Sequence, residues 1–201
     1  MSTVIAGTAG YGAKAADLAE QYESVSFADV QRDVLHLFPD QPSHILDVGA
    51  GSGRDAGALA QLGHHVVAIE PTRELREQGQ ARHRWPNLAW RDDHLPTLDV
   101  TRQLPQRFDL ILLTAVLMHL DAAERTTAIE TLAGLLAPDG RLILSLRHGP
   151  VPEGRRMFDV PAEEVIATGA RFGLAKLHLS KREDMFERHD VRWSLVALQR
   201  T

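Results

Sequence analysis

Ile45-Leu46-Asp47-Val48-Gly49-Ala50-Gly51-Ser52-Gly53-Arg54 is the stretch that decides how this chain folds. A short apolar run passes into three glycines at every second position, and a helical pattern begins at once, from about Arg54 to Leu62, closed by Gly63. Glycine permits a tight turn and lets backbone approach a ligand closely. The helix start behind it offers unpaired N–H groups and the positive end of a dipole. A dinucleotide loop would read G-x-G-x-x-G with its third glycine at position 54. That position is Arg54, the third glycine is Gly53, and the spacing is D-x-G-x-G-x-G.

Strand and helix patterns alternate outward from this loop. His44 to Val48 and His65 to Ile69 read as buried strands, Thr72 to about His83 as a helix, and Leu88 to Trp90 as a brief third strand. Phe108 to Thr114 is nearly all apolar, as a central strand covered on both faces must be. Asp121 with Glu124 caps a long helix through Leu136, Pro138-Asp139-Gly140 reads as a turn, and Arg141 to Leu146 as a fifth strand. Pro161 and Gly173 bracket another helix. Leu174 to Ser180 and Val191 to Gln199 alternate apolar and polar residues, which predicts a solvated edge or an antiparallel pair. Before the loop lie two short helices, one carrying Ala15, Leu18, Ala19 and Tyr22, the other starting at Ser26. The fold class expected is α/β: a doubly wound, mostly parallel seven-stranded sheet with an antiparallel C-terminal edge pair, binding its ligand beyond the carboxyl ends of the strands. One domain over residues 1–201 is expected, with 1–42 as a helical arm or lid, 43–147 as a cofactor-binding core and 148–201 as the substrate side.

Composition narrows the function. With 44% hydrophobic and 24% charged residues the chain is ordinary for a globular domain. It has no cysteine, which removes disulfides, thiolate metal sites and a cysteine nucleophile. No apolar run suits a membrane helix, and Met1 to Gly12 shows no secretory pattern, so a cytoplasmic location is expected. A net charge of −5 argues against duplex nucleic acid as partner. The charge is uneven: residues 1–140 carry −8 and residues 141–201 carry +3.

The ordered set of motifs resembles the class I S-adenosylmethionine-dependent methyltransferases, over roughly residues 43–147. The D-x-G-x-G-x-G loop looks like the family's first motif. Glu70 stands where the family's acid takes both ribose hydroxyls, and Pro71 where a residue lies against the adenine. Arg91-Asp92-Asp93-His94-Leu95-Pro96 looks like the segment whose acid accepts from the adenine amino group, with the register between Asp92 and Asp93 open because Arg91 replaces a glycine. Phe108 to Leu113 and Leu136 to Leu142 resemble the fourth strand and the turn into the fifth. The resemblance implies S-adenosylmethionine as cofactor, S-adenosylhomocysteine as product, and Asp47, Gly49, Ala50, Gly51, Gly53, Glu70, Pro71, Asp92, Asp93 and Thr114 as cofactor-binding residues.

Methyl transfer asks the protein to orient a nucleophile and remove its proton. His119, in a segment resembling one common in small-molecule members, is the candidate general base, against a packing or helix-capping role. Tyr22, Met118, Arg147 and His148 are the substrate-side candidates, with Tyr11 as a second tyrosine able to close over the site. Thr114-Ala115-Val116 lacks the [D/N/S]-P-P-[Y/F/W] motif of base-amino methyltransferases and carries no acids near the strand end, so no metal is expected. An O, N or carboxylate acceptor on a small molecule is the expectation. Two other readings stay open: a non-catalytic S-adenosylmethionine-binding module, and a nicotinamide-dependent oxidoreductase, against which Arg54 counts.

Overall fold

Short apolar runs bounded by Gly and Pro become the strands of one sheet, and the amphipathic stretches between them become its helices. The computed structural model describes residues 5–201; residues 1–4 of the expected N-terminal arm lie outside the described residues. The strands are β1 (His44–Val48), β2 (His65–Ile69), β3 (Leu88–Arg91), β4 (Phe108–Thr114), β5 (Leu136–His148), β6 (Leu174–Glu183) and β7 (Arg192–Arg200), in the order β3-β2-β1-β4-β5-β7-β6. β1, β2, β3, β4 and β5 pair in parallel, while β7 runs antiparallel to both β5 and β6. The chain leaves β1 toward one side of the sheet and returns at β4 on the other, so the loops after β1 and β4 part at a switch point. The expected doubly wound, mostly parallel sheet with an antiparallel edge pair is what forms.

The helices are α1 (Ala15–Glu23), α2 (Phe27–Gln31), α3 (Arg54–Gln61), α4 (Arg73–Arg82), α5 (Ala122–Leu135) and α6 (Ala162–Arg171). Asp121 and Glu124 close a capping box at the start of α5. Leu110, Ile111, Leu112 and Leu113 of β4 are fully buried, feeding apolar clusters on both faces of the sheet. Among the described residues no helix is long and apolar enough to cross a membrane.

Two expectations are corrected. β7 forms the antiparallel pair with β6 but does not alternate: it lies between β5 and β6, and Ser194 to Leu198 are all buried, because Leu195-Val196-Ala197-Leu198 is a continuous apolar run. Pro138-Asp139-Gly140 does not precede the fifth strand but interrupts it. Leu136 already pairs with Phe108, Arg141 next pairs with Leu110, and the residues between bulge out with Asp139 at φ 60°.

α4 is fixed to β3 by a contact only glycine allows. A Cβ at Gly79 would stand 2.2 Å from Trp90 Cη2 and 3.0 Å from the Ser52 carbonyl. Helix propensity alone would make Gly79→Ala favourable by about 1 kcal/mol. We expect instead a net loss of about 1–3 kcal/mol, because the ring has to move within packed structure. Urea unfolding of the variant checks this, and an unchanged or raised midpoint would show the ring to be free to shift.

Candidate active site

The loop after β1 is shaped by hydrogen bonds to the end of β2. The N–H groups of Gly49 and Ala50 both donate to the Ile69 carbonyl at 2.8 Å, and the Gly51 N–H donates to Glu70 Oε2 at 2.9 Å. Thr72 N–H donates to Glu70 Oε1 at 2.8 Å. Glu70 is thereby held buried beneath the loop; burial pushes its carboxyl up, opposed by these N–H donors. Gly49 and Gly51 have φ 73° and 57°, the left-handed region. A Cβ at Gly49 would come within 2.5 Å of Val116 Cγ2, so the loop packs directly on the segment after β4 with no room for a side chain. Gly51 faces the ring of Tyr22 from α1.

Asp47 ends this arrangement from below. It is buried, lines the cavity, and its Oδ2 has no hydrogen-bond partner. Burial first, then the charge of Asp55, push its carboxyl well above the usual range, with Arg54 opposing. Asp55 is a residue sequence reasoning missed. Its Oδ2 accepts from Thr114 Oγ1 at 2.8 Å and from Gln31 Nε2 at 2.9 Å, and its Oδ1 accepts from Arg54 Nε at 2.6 Å. The network ties α2, α3 and β4 together behind the loop.

Several expected contacts fall elsewhere. Gly53 does not line the cavity: a Cβ there would meet Trp90 and His83 at 2.8–2.9 Å, so its small size serves packing of the loop on β3 and α4. Asp93 is buried and turned into its own loop, accepting from the N–H groups of His94, Val100 and Thr101 and from Thr101 Oγ1. Asp92 is exposed and paired with Arg76 at 2.8 Å. Neither carboxylate lines the cavity, whose wall here is Pro71, His94 and Leu95.

Past β4, Ala115 at φ 61° bends the chain, its N–H bonded to Ser145 Oγ at 3.0 Å, and a 3-10 turn spans Leu117–His119. The turn sends Met118 into the core, 1% exposed, which corrects its substrate-side placement. His119 lines the cavity, yet both of its nitrogens are engaged. Nδ1 lies 2.8 Å from the Arg156 carbonyl, which can only accept, so Nδ1 carries the proton and Nε2 accepts from the Tyr11 hydroxyl at 3.0 Å. Burial, with the charges of Arg155 and Arg156, holds the imidazole below its ordinary value. Tyr11, raised by burial, is stacked under the Arg155 guanidinium at 3.4 Å from its ring centre.

Arg147, at the end of β5, lines the cavity; His148 beside it does not, being bonded to Asp159 at 2.8 Å and Ser194 at 2.9 Å. The far wall comes from the loop before β7, where Asp184 holds Arg188 at 2.7 and 2.9 Å and the Trp193 indole N–H at 2.8 Å. The whole cavity has a volume of about 440 Å³. Among the described residues no group of three His, Asp or Glu is arranged to hold a metal ion.

Comparison with known proteins gives this cavity a context. Residues 46–142 match the family model described as a methyltransferase domain. Protein-L-isoaspartate O-methyltransferase 2 of Rhodopseudomonas palustris is 34% identical over 116 residues, covering 57% of this chain and 48% of that protein. The tRNA 5-carboxymethoxyuridine methyltransferase of Escherichia coli is 28% identical over 126 residues, covering 61% and 46%. The chain thus spans about half the length of these relatives. The structure of Burkholderia thailandensis 1,6-didemethyltoxoflavin-N1-methyltransferase, with 1,6-didemethyltoxoflavin and S-adenosylhomocysteine bound, superposes with a TM-score of 0.68 at 20% identity, covering 100% of this chain and 93% of that one. At that identity the likeness is one of fold.

Proposed function

We propose that this chain, whose residues 46–142 match a methyltransferase domain, is a class I S-adenosylmethionine-dependent methyltransferase that transfers a methyl group to an oxygen, nitrogen or carboxylate acceptor on a small molecule. The observation that supports the cofactor most directly is a buried carboxylate oxygen without a partner, Asp47 Oδ2, lining the same cavity as the left-handed glycine turn Gly49–Gly51. In this reading Asp47 would receive the cofactor's ammonium, Glu70 the ribose hydroxyls, and the Gly49–Gly51 backbone would lie along the chain between them. Pro71, His94 and Leu95 would enclose the base. Residues 43–147 act as the cofactor-binding core, the arm before them covers it, and residues 148–201 supply the acceptor's wall.

The bound cofactor supplies an activated sulfonium methyl. What remains for the protein is to place the acceptor and take its proton. We assign that proton to the Tyr11 oxygen: as it arrives, the phenolic proton passes to His119 Nε2, while Nδ1–H stays on the Arg156 carbonyl. His119 is then a positioning residue and proton store rather than the group touching the acceptor. The small acceptor is favoured by the size of the cavity and by its walls on the α1 side and on the 184–188 side.

Calorimetry with S-adenosylmethionine and S-adenosylhomocysteine tests the reading. We expect saturable binding to the wild type, weakened at least tenfold, about 1.4 kcal/mol, in Glu70→Ala. Absence of binding by a folded wild-type protein would overturn it and bring nicotinamide cofactors forward, to be followed by spectral titration.

A further inference from the structure

The half of the cavity past β5 is not used by the cofactor residues above, and its charges do not balance. Five arginines line the cavity: Arg54, Arg147, Arg155, Arg182 and Arg188. Arg54 is neutralised by Asp55 at 2.6 Å and Arg188 by Asp184 at 2.7 Å. Arg182 stands 3.9 Å from Asp33. Arg147 reaches only backbone carbonyls, those of Gly149 at 3.4 Å and Pro150 at 2.8 Å. Arg155 reaches the Ala9 carbonyl at 3.5 Å and the face of Tyr11. Among the described residues neither Arg147 nor Arg155 is within ion-pair distance of a carboxylate. Asp184 touches neither of them, its oxygens being taken by Arg188, Trp193 and the Phe186 N–H, and it acts on Arg147 only through space, as Asp190 does. Beside these cations the wall is apolar, with Met157, Met185 and Trp193.

A partly desolvated guanidinium without a counter-charge is costly, and a planar carboxylate is its best geometric match. Burial first, then the like charge of Arg188, disfavour the Arg147 cation, and the more distant charges of Asp184 and Asp190 oppose them only in part; an incoming anion in direct contact relieves the remaining cost. We propose that this half is an acceptor subsite in which Arg147 and Arg155 anchor a carboxylate carried on an apolar, aromatic-sized body. The subsite rests on the methyl-transfer reading only in calling its occupant the acceptor. A carboxylate held by guanidinium donors loses nucleophilicity, so it is the anchor, and the reacting atom is elsewhere on the molecule. Arg155 stacks on Tyr11, which places the anchor beside the group assigned to take the proton.

The test compares two probes of one shape, 1-naphthylacetate and the neutral 1-naphthylacetamide, by calorimetry on the full chain with and without saturating S-adenosylhomocysteine. We expect the carboxylate to bind at least tenfold tighter than the amide, with the advantage shrinking as salt is added. We expect the preference to vanish in Arg147→Gln/Arg155→Gln, which should still bind S-adenosylhomocysteine like the wild type. Should the double variant not fold, Arg147→Gln alone is expected to cut the preference at least threefold. Equal affinity for the two probes, binding of neither, or an undiminished preference in the variants would overturn the subsite. A preserved carboxylate preference in a protein that ignores S-adenosylhomocysteine would sink the cofactor reading and leave the subsite standing.

Discussion

Asp93→Ala is expected to lower stability by about 3–5 kcal/mol, while Asp92→Ala changes it by less than about 1 kcal/mol. Asp93 accepts four hydrogen bonds, from His94 N–H at 2.9 Å, Val100 N–H at 3.1 Å, and Thr101 N–H and Oγ1 at 2.7 Å. Hydrogen bonds to a charged acceptor contribute about 1.5–3 kcal/mol each, and removing the acceptor leaves buried donors unpaired. Thr101 is fully buried, so water cannot simply replace the carboxylate there, whereas His94 and Val100 are exposed and can recover their bonds from solvent. That asymmetry keeps the cost below the sum of four. Asp92 is 67% exposed and makes one surface ion pair, with Arg76, of a kind worth about 0–1 kcal/mol. Urea unfolding of both variants gives the comparison. A loss below about 1 kcal/mol for Asp93→Ala would mean that the 94–101 loop is held by something other than this carboxylate.

The same two aspartates show where the sequence stops being legible. β3 ends at Arg91, and past a strand end the alternation that assigns side chains to faces no longer applies. Nothing local says which of two adjacent acids turns inward. The parallel core was readable for the opposite reason: strands covered on both faces have to be apolar throughout, and the glycine loop has to be glycine where φ is positive. β7 departs from the expected alternation because Leu195 to Leu198 are four consecutive apolar residues, which mark an interior strand. Met118 and His119 lie on one 3-10 turn, and the bend at Ala115 decides which of them meets the cavity. The Tyr11–His119–Arg155 cluster joins three segments far apart in the chain, a juxtaposition no spacing rule reveals. Asp55 was overlooked because an acid in the first turn of a helix already has an ordinary explanation in the helix dipole.

Asp47→Asn is expected to weaken S-adenosylmethionine and S-adenosylhomocysteine binding about a hundredfold while making the unliganded protein more stable. Removing one partner of a buried charge pair costs about 2–5 kcal/mol, and a hundredfold loss corresponds to about 2.7 kcal/mol. Stability moves the other way because burial and the charge of Asp55 outweigh the opposing charge of Arg54 and raise the Asp47 carboxyl, whose Oδ2 has no partner. A group whose folded value lies above its unfolded one stabilises the fold below the unfolded value, and that contribution is lost as pH rises through the folded one. The unliganded wild type should therefore lose stability as pH rises above the ordinary carboxylate range and through the raised value of this carboxyl, and Asp47→Asn should lack that component. A gain of about 1 kcal/mol would raise the thermal midpoint by about 2–4 °C in a chain of this size. 5′-Methylthioadenosine, which has the nucleoside but no ammonium, is the discriminating ligand: its affinity should be the same for both proteins. An equal loss for that ligand would mean that Asp47 shapes the glycine loop instead of meeting the ammonium. An unchanged S-adenosylhomocysteine affinity would remove Asp47 from the binding site altogether. A raised midpoint together with the selective loss would identify the carboxylate as one kept at a cost in stability for the sake of its ligand.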